Sequence, residues 1–293
     1  MKPRIYDCFC YFNEDMLLEL RLETLWEHVD YFVISEAVYT QVGQPKPLNF
    51  DIERFARFRS KIRYLVVDHF PPGEQGAWKN ENYQRSFVIN GLYDARPEDW
   101  ILVSDLDEIP RPETIALFDP RRYLRGDFQQ HCYAYFLNNL FYDGNRPAVW
   151  VGSKVTTFRY LKEFFGNANA VRSYKSSGPL RSIKRSWFGR FRTQKIADGG
   201  WHFTWVMKPE AIIVKMKSIA DQAFVREEFQ DIAFIESRIR SGRDVLDRPF
   251  RYVPQVVEEP QFPSFLARHR EKYKEWILPF ETEPSVVSMG RHQ

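Results

Sequence analysis

The sequence has few cysteines, no long apolar run and almost no excess of charge. Its 293 residues include three cysteines, Cys8, Cys10 and Cys132; this small, odd number excludes a disulfide scaffold and favours a reducing compartment. No stretch approaches the roughly 18 apolar residues of a membrane-spanning helix, and the first residues lack the apolar stretch of a signal peptide. The formal net charge of +3 gives no bulk attraction to nucleic acid. We therefore expect a cytoplasmic protein without a transmembrane segment or a nucleic-acid partner.

Aromatic residues, in contrast, are abundant. The chain has 8 Trp, 15 Tyr and 25 Phe, which together make 16% of it. Aromatic rings stack on sugars and bases, but they also build hydrophobic cores. With 44% hydrophobic and 28% charged residues, the composition is that of an ordinary globular protein, which excludes a disordered chain.

Strand and helix patterns alternate in the first third of the chain. Four apolar residues recur at helical spacing and predict a helix over 14–28: Leu18, Leu22, Leu25 and Val29. A second helix is predicted over 79–94. The predicted strands lie at 4–12, 31–37, 62–67 and 100–104. This alternation predicts an α/β fold, with a Rossmann-type sheet flanked by helices and right-handed crossovers between its parallel strands.

The pattern changes after Pro112. Strand-like segments at 129–137 and 149–158 have no clear helix between them, so antiparallel strands are expected to make the sheet a mixed one. A further strand is predicted at 200–206. We expect one domain over 1–245 and a proline-rich C-terminal extension over 246–293 that packs on the same domain. The expected helices of this half lie at 223–240 and 265–277.

Three carboxylates follow the apolar strand at 100–104. Ligands in open α/β sheets bind at the carboxyl ends of the strands, so Asp105, Asp107 and Glu108 mark a candidate site. Asp105 and Asp107 flank one residue and can therefore face the same side, where their oxygens would suit a hard divalent cation. The alternative is a solvated turn in which Asp105 caps a following helix.

Two enzyme classes place Asp-x-Asp after an apolar strand. Glycosyltransferases of the GT-A type use the motif to hold Mn²⁺ or Mg²⁺ against a nucleotide-sugar diphosphate, whereas phosphatases of the haloacid-dehalogenase type use its first Asp as a nucleophile. The phosphatase motif normally lies near the N-terminus, but here two strand–helix units precede it and no Asp-Asp pair follows. A non-enzymatic carbohydrate-binding protein is a third alternative, which explains the aromatic residues but not the three carboxylates.

Several motifs in one order along the chain carry a family resemblance. They are Ile5-Tyr6-Asp7-Cys8-Phe9, Phe32-Val33-Ile34-Ser35-Glu36-Ala37, Asn82-Tyr83-Gln84-Arg85, Asp105-Leu106-Asp107-Glu108-Ile109-Pro110 and Gly200-Trp201-His202-Phe203-Thr204-Trp205. In sequence and order they resemble glycosyltransferase family 17, a family of N-acetylglucosaminyltransferases, over about residues 4–245. The family's animal enzyme has an N-terminal membrane anchor, whereas we expect a soluble member of bacterial or viral type here. Residues 218–222 also lack a histidine that many non-animal members have, so the acceptor stays open.

The resemblance implies the fold, the reaction and a set of metal ligands. It implies a GT-A-like fold and a metal-dependent, inverting transfer of N-acetylglucosamine, or another hexose, from a UDP-sugar to a hydroxyl of a glycan or glycoconjugate acceptor. Asp105, Asp107 and His202 are implied as ligands of Mn²⁺ or Mg²⁺. Asp105 and Glu108 are also expected to contact the donor. For His202, the alternative is a histidine packed in an aromatic core.

The remaining donor contacts are expected at the same edge of the sheet. Phe12, Asn13 and Glu36 follow or end predicted strands and are candidates to contact uracil and ribose. Arg85, on the helix before the acidic strand, could bind a phosphate through two hydrogen bonds, or could be an exposed helical arginine.

A direct displacement also needs a general base for the acceptor hydroxyl. We select Asp221 and Glu227, which lie near or on the helix after His202; each could equally be an ordinary solvated acid. Residues 171–197 contain eight basic and no acidic residues. We interpret this basic segment as a loop that closes over the donor diphosphate, meets an acidic acceptor, contacts a membrane surface or is merely solvated.

Overall fold

A computed structural model describes residues 2–71, 76–174, 187–218 and 227–279. Its strands are β1 (Ile5–Cys10), β2 (Tyr31–Ala37), β3 (Ile62–Val67), β4 (Trp100–Val103), β5 (Glu108–Pro110), β6 (Arg125–Ala134), β7 (Asn139–Asp143), β8 (Arg146–Pro147), β9 (Val149–Thr157), β10 (Thr193–Ile196), β11 (Gly200–Thr204) and β12 (Phe250–Pro254). Its α-helices are α1 (Asp15–Leu25), α2 (Ala77–Phe87), α3 (Pro112–Ile115), α4 (Phe158–Tyr160), α5 (Ala168–Arg172), α6 (Pro209–Ser218), α7 (Ile232–Arg240) and α8 (Ser264–Arg268).

These strands form one mixed sheet, in the order β12-β7-β6-β9-β4-β1-β2-β3. Strands β3, β2, β1 and β4 are parallel, and β9 joins β4 antiparallel. Strands β10 and β11 both pair parallel with β6, and β5 pairs antiparallel with β11. The predicted α/β class, with a Rossmann-type half and a GT-A-like mixed sheet flanked by helices, is confirmed.

The parallel half is covered on both faces. Neighbouring residues of a strand point to opposite faces, and in β2 Val33 belongs to one apolar cluster while Phe32 and Ile34 belong to another. The cluster that contains Phe32 and Ile34 also contains the buried leucines of α1, among them Leu18 and Leu22. Because both faces of these strands are buried, β4 is wholly apolar and β1 and β2 are mostly so.

The described part of the C-terminal extension contacts the sheet at several points. Strand β12 pairs with β7, the backbone N–H of Leu137 donates to the carbonyl of Trp276, and the indole of Trp201 donates to the carbonyl of Gln261 at 2.7 Å. The division of the chain into a domain over 1–245 and an extension over 246–293 stays a prediction. Within the described ranges, no helix is long and apolar enough to cross a membrane.

Several predicted elements change in length or type. The helix predicted over 79–94 ends at Phe87 and continues as a 3₁₀ helix, Val88–Gly91. The helix predicted over 265–277 is a short α-helix, α8, followed by the 3₁₀ helix Arg270–Trp276. Of the predicted basic loop, residues 175–186 lie outside the described residues, and 193–196 form β10 against β6. That strand pairs with a partner distant in the sequence, so local pattern did not reveal it.

Candidate active site

A cavity of about 330 Å³ lies at the carboxyl ends of β1 and β4. It is lined by residues that follow β1, by the acidic turn between β4 and β5, and by residues at the end of β11. Among the described residues, the charged and histidine side chains that line it are Glu14, Glu81, Asp105, Asp107, Glu108, Lys46, Arg85, Lys215 and His202. The position agrees with the rule that open α/β sheets bind ligands at this edge.

A buried arginine of α1 holds the backbone of the acidic turn. The guanidinium of Arg21 is fully buried and forms two hydrogen bonds to the carboxylate of Asp7, at 2.6 and 2.7 Å. Its remaining nitrogen donates to the carbonyls of Asp105, Leu106 and Glu108, at 3.1, 3.1 and 2.7 Å. The backbone conformation of the acidic turn is therefore held by the buried Arg21–Asp7 pair as well as by contacts within the turn.

The carboxylate of Asp105 lies between two guanidiniums. Arg85 contacts one oxygen at 3.0 Å, and Arg172 contacts the other at 2.6 Å. Arg85 is also ion-paired with Glu81, one helical turn before it. Burial by itself raises the pKa of the Asp105 carboxyl, but Arg172 and then Arg85 hold that pKa well below its usual range. Asp105 is therefore an anion at any neutral pH.

His202 faces Asp107 in the cavity. Nε2 of His202 lies 3.6 Å from Oδ1 of Asp107, and Nδ1 lies 3.6 Å from Sγ of Cys132. The imidazole stacks on the indole of Trp150, with ring centroids 4.8 Å apart. Burial by itself lowers the pKa of His202, but Asp107 and Cys132 raise it well above its usual value. These contacts fix the orientation of the imidazole.

The donor set partly fits a metal ion. No group of three or more His, Cys, Asp or Glu side chains is arranged to hold one in the part of the chain that the structure describes. Asp107 and His202, which both line the cavity, present one oxygen and one nitrogen 3.6 Å apart, and carboxylate and imidazole are both metal-ligating groups. Both oxygens of Asp105, however, face arginines. The pair could therefore supply two ligands of a cation whose other ligands come from the donor substrate and water. Asp105 as a metal ligand stays a prediction.

The predicted nucleotide contacts separate into two groups. Phe12 and Arg85 line the cavity, with the ammonium of Lys46 5.2 Å from the centre of the Phe12 ring. Asn13 is exposed and does not line it; its backbone N–H donates to Glu14. Arg85 is not the exposed helical arginine of the alternative prediction. Its side chain is buried and forms ion pairs with Asp105 and Glu81.

Glu36 has a different place in the structure from the one predicted. Its side chain is fully buried and does not line the cavity. It accepts hydrogen bonds from Lys46 at 2.5 Å, from Tyr64 at 2.8 Å and from the backbone N–H groups of Asn49 and Phe50. The carboxylate therefore anchors the segment after β2 and has no free oxygen for uracil or ribose.

Replacing Glu36 by glutamine should lower the free energy of unfolding by about 1.5–3 kcal/mol, because a buried charged acceptor is lost. Urea denaturation measures this. The matched control is Glu53→Gln, at an exposed residue paired with Arg59, which should change stability by less than about 0.5 kcal/mol. Unchanged stability with weaker UDP binding would instead support the predicted nucleotide contact.

The structure does not place either predicted general base at the cavity. Asp221 lies outside the described residues. Glu227 begins the 3₁₀ helix Glu227–Gln230, is exposed and does not line the cavity. Among the carboxylates that do line it, Glu14 accepts two backbone hydrogen bonds and lies 3.8 Å from Lys215. The choice of base therefore stays a prediction.

Three side chains of the site were missed in the sequence. Arg21 shares a helix face with the apolar residues Leu17 and Leu25, and this charged residue on a buried face was a visible signal. Arg172 was only one of eight basic residues in its segment. Trp150 was only one residue of a predicted strand, and no local signal placed it against His202.

The sheet and the cavity define a GT-A-like α/β protein, and the comparisons indicate a family within that class. Residues 1–142, just under half of the chain, match the model of glycosyltransferase family 17. The chain is 26% identical over 300 residues to β-1,4-mannosyl-glycoprotein 4-β-N-acetylglucosaminyltransferase of Rattus norvegicus and 26% identical over 303 residues to that of Homo sapiens. These alignments cover 95% and 96% of this chain but 55% and 56% of the relatives, so the chain spans about half their length. Both findings support the predicted family and support a glycosyltransferase.

Solved structures show more distant similarity. A 4-diphosphocytidyl-2C-methyl-D-erythritol synthase aligns with a TM-score of 0.40 and 14% identity, over 74% of this chain and 98% of its own. A glycosyltransferase involved in the glycosylation of the major capsid of PBCV-1 aligns with a TM-score of 0.31 and 12% identity, over 67% of this chain and 81% of its own.

Proposed function

We propose that this protein transfers N-acetylglucosamine, or another hexose, from a UDP-sugar to a hydroxyl of a glycan acceptor, with Mn²⁺ or Mg²⁺ as cofactor. The observation that carries the proposal is the acidic turn after β4, which presents Asp105 and Asp107 to a cavity shared with His202 and Arg85. The family match over residues 1–142 includes this turn. The names of the relatives support N-acetylglucosamine as the sugar.

The cavity has groups for each part of such a donor. Asp107 and His202 would hold the cation, which when bound neutralises charge that develops on the leaving diphosphate. Arg85 and Lys215 add positive charge on the cavity wall. The ring of Phe12 offers an apolar face for a base. Inversion at the anomeric carbon requires a base on the acceptor side, for which Asp221 and Glu227 stay the proposed residues.

The phosphatase alternative loses support from the site. Its mechanism requires the first carboxylate of the motif as a free nucleophile. In the structure that carboxylate, Asp105, has one oxygen paired with Arg85 and the other with Arg172. Two guanidiniums lower the nucleophilicity of a carboxylate because they stabilise its negative charge.

A panel of nucleotide sugars tests the proposal. With Mn²⁺ present and no acceptor, slow release of UDP should be fastest from UDP-N-acetylglucosamine. Faster hydrolysis of a GDP- or CMP-sugar would contradict the donor assignment. Phosphate release from simple phosphomonoesters would favour the phosphatase, and saturable oligosaccharide binding without turnover would favour a carbohydrate-binding protein.

The proposal also covers the type of protein, its location and its contact with a membrane. We propose a soluble bacterial- or viral-type member of the family, located in the cytoplasm. The exposed aromatic side chains of Trp187 and Phe191, within the basic segment 171–197, support peripheral contact with a membrane or an acidic acceptor.

A further inference from the structure

Arg172, the last residue of α5, connects two carboxylates of the acidic turn. One of its terminal nitrogens lies 2.5 Å from Oε2 of Glu108. The other lies 2.5 Å from Oε1 of Glu108 and 2.6 Å from Oδ2 of Asp105. A planar guanidinium can make this double contact with one carboxylate and still reach a second, whereas a lysine ammonium cannot.

Glu108 serves as the fixed end of this connection. Its side chain is fully buried, and besides Arg172 it accepts the indole N–H of Trp150 at 2.6 Å and the backbone N–H of Asp105 at 2.9 Å. The backbone of Gly152 packs against it so closely that a Cβ there would lie 2.6 Å from its carboxyl carbon. Each oxygen of Glu108 thus has two partners, so the carboxylate cannot turn without breaking several contacts.

Arg172 lies behind the site rather than in it. The cavity is lined by Asp105, Glu108 and Arg85, but Arg172 is not among the lining residues. Its guanidinium is therefore placed to act on a bound donor through Asp105. Arg85, which holds the other oxygen of Asp105, does reach the cavity.

We propose that Arg172 is a positioning residue of the donor site: anchored by Glu108, it fixes the carboxylate of Asp105 in the orientation that a donor meets. The proposal rests on the proposed function, because it assumes that a nucleotide sugar occupies the cavity. It assigns Arg172, the first basic residue of the segment 171–197, to the support of Asp105, whatever the rest of that segment does.

Calorimetric titration with UDP in the presence of MnCl₂ tests the role without requiring turnover. Arg172→Ala should weaken UDP binding by about 10- to 100-fold, the usual cost of losing a residue that orients a ligand-binding group. Arg172→Lys should recover only part of this loss, because an ammonium cannot reproduce the two parallel hydrogen bonds that the guanidinium makes to Glu108. Arg159→Ala removes an arginine paired with Glu98 away from the cavity and should bind UDP like the unchanged protein.

UDP binding by variants that already carry Asp105→Asn shows whether Arg172 positions Asp105 or contacts the nucleotide directly. If Arg172 acts through Asp105, adding Arg172→Ala to Asp105→Asn should weaken UDP binding by less than about threefold further, because coupled residues are not additive. A full additional loss in that background would mean that Arg172 acts on the nucleotide independently of Asp105 and would overturn the proposal.

The geometry can also be tested apart from the proposed function. Urea unfolding of Arg172→Gln, Glu108→Gln and the double variant gives the coupling between the two residues even if no nucleotide binds. A clear coupling is expected, and independent effects would overturn the proposal. Absence of UDP binding by the unchanged protein, together with clear coupling, would contradict the proposed function and leave the Arg172–Glu108 connection standing.

Discussion

Exchanging Asp107 for asparagine should lower kcat for sugar transfer by about 10³-fold while the fold is kept. Asparagine has the same shape but no negative charge. It would therefore leave His202, 3.6 Å away, as the one remaining member of the pair proposed to hold the cation. Initial rates at saturating UDP-N-acetylglucosamine and Mn²⁺ measure the effect. Asp105→Asn should also abolish transfer, since it removes the negative charge that Arg85 and Arg172 share.

The matched control is Asp247→Asn. Asp247 is exposed, pairs with Arg238 and has a φ of 59°, a conformation that asparagine tolerates well. This variant should keep the activity of the unchanged protein. Transfer that survives Asp107→Asn, or that continues unchanged in EDTA, would rule out the metal role given to Asp107.

Replacing Arg21 by methionine should lower the free energy of unfolding by about 3–5 kcal/mol. The change leaves the carboxylate of Asp7 buried without a counter-charge, and the carbonyls of Asp105 and Glu108 each lose one hydrogen bond. Burying an unpaired charge is among the most costly changes a protein interior can undergo. Urea denaturation gives the loss directly, and weaker UDP binding should accompany it because the acidic turn is no longer held.

Arg57→Met provides a close comparison. Arg57 and Arg21 both lie over phenylalanine rings, at 4.5 Å from the ring centre, but Arg57 is exposed and pairs with Glu23 at the surface. Its replacement should change stability by less than about 0.5 kcal/mol. Adding Asp7→Asn to Arg21→Met should restore part of the stability. A loss below about 1 kcal/mol for Arg21→Met would show that the buried pair does not hold the turn.

Some features of the site could be predicted because their signals are local. The apolar strand before Asp105 and the three carboxylates after it are adjacent in the sequence. The carboxyl end of a parallel strand is a binding edge in any open α/β sheet. Glu36 also ends a parallel strand, yet the structure buries it beneath Lys46 and Tyr64. The edge could be predicted, but the direction of each side chain at that edge could not.

The sequence by itself determined the alternation of strands and helices, the apolar cores of the parallel strands and the position of the acidic turn, because each depends on residues close together in the chain. Only the tertiary structure decided which charges meet at that turn. Arg172 lies 64 residues from Glu108 and 67 from Asp105, and Arg21 lies 84 residues before Asp105. A buried ion pair leaves no periodic pattern in the sequence, since its energy depends on the distance between two side chains in the folded chain rather than on their separation along it.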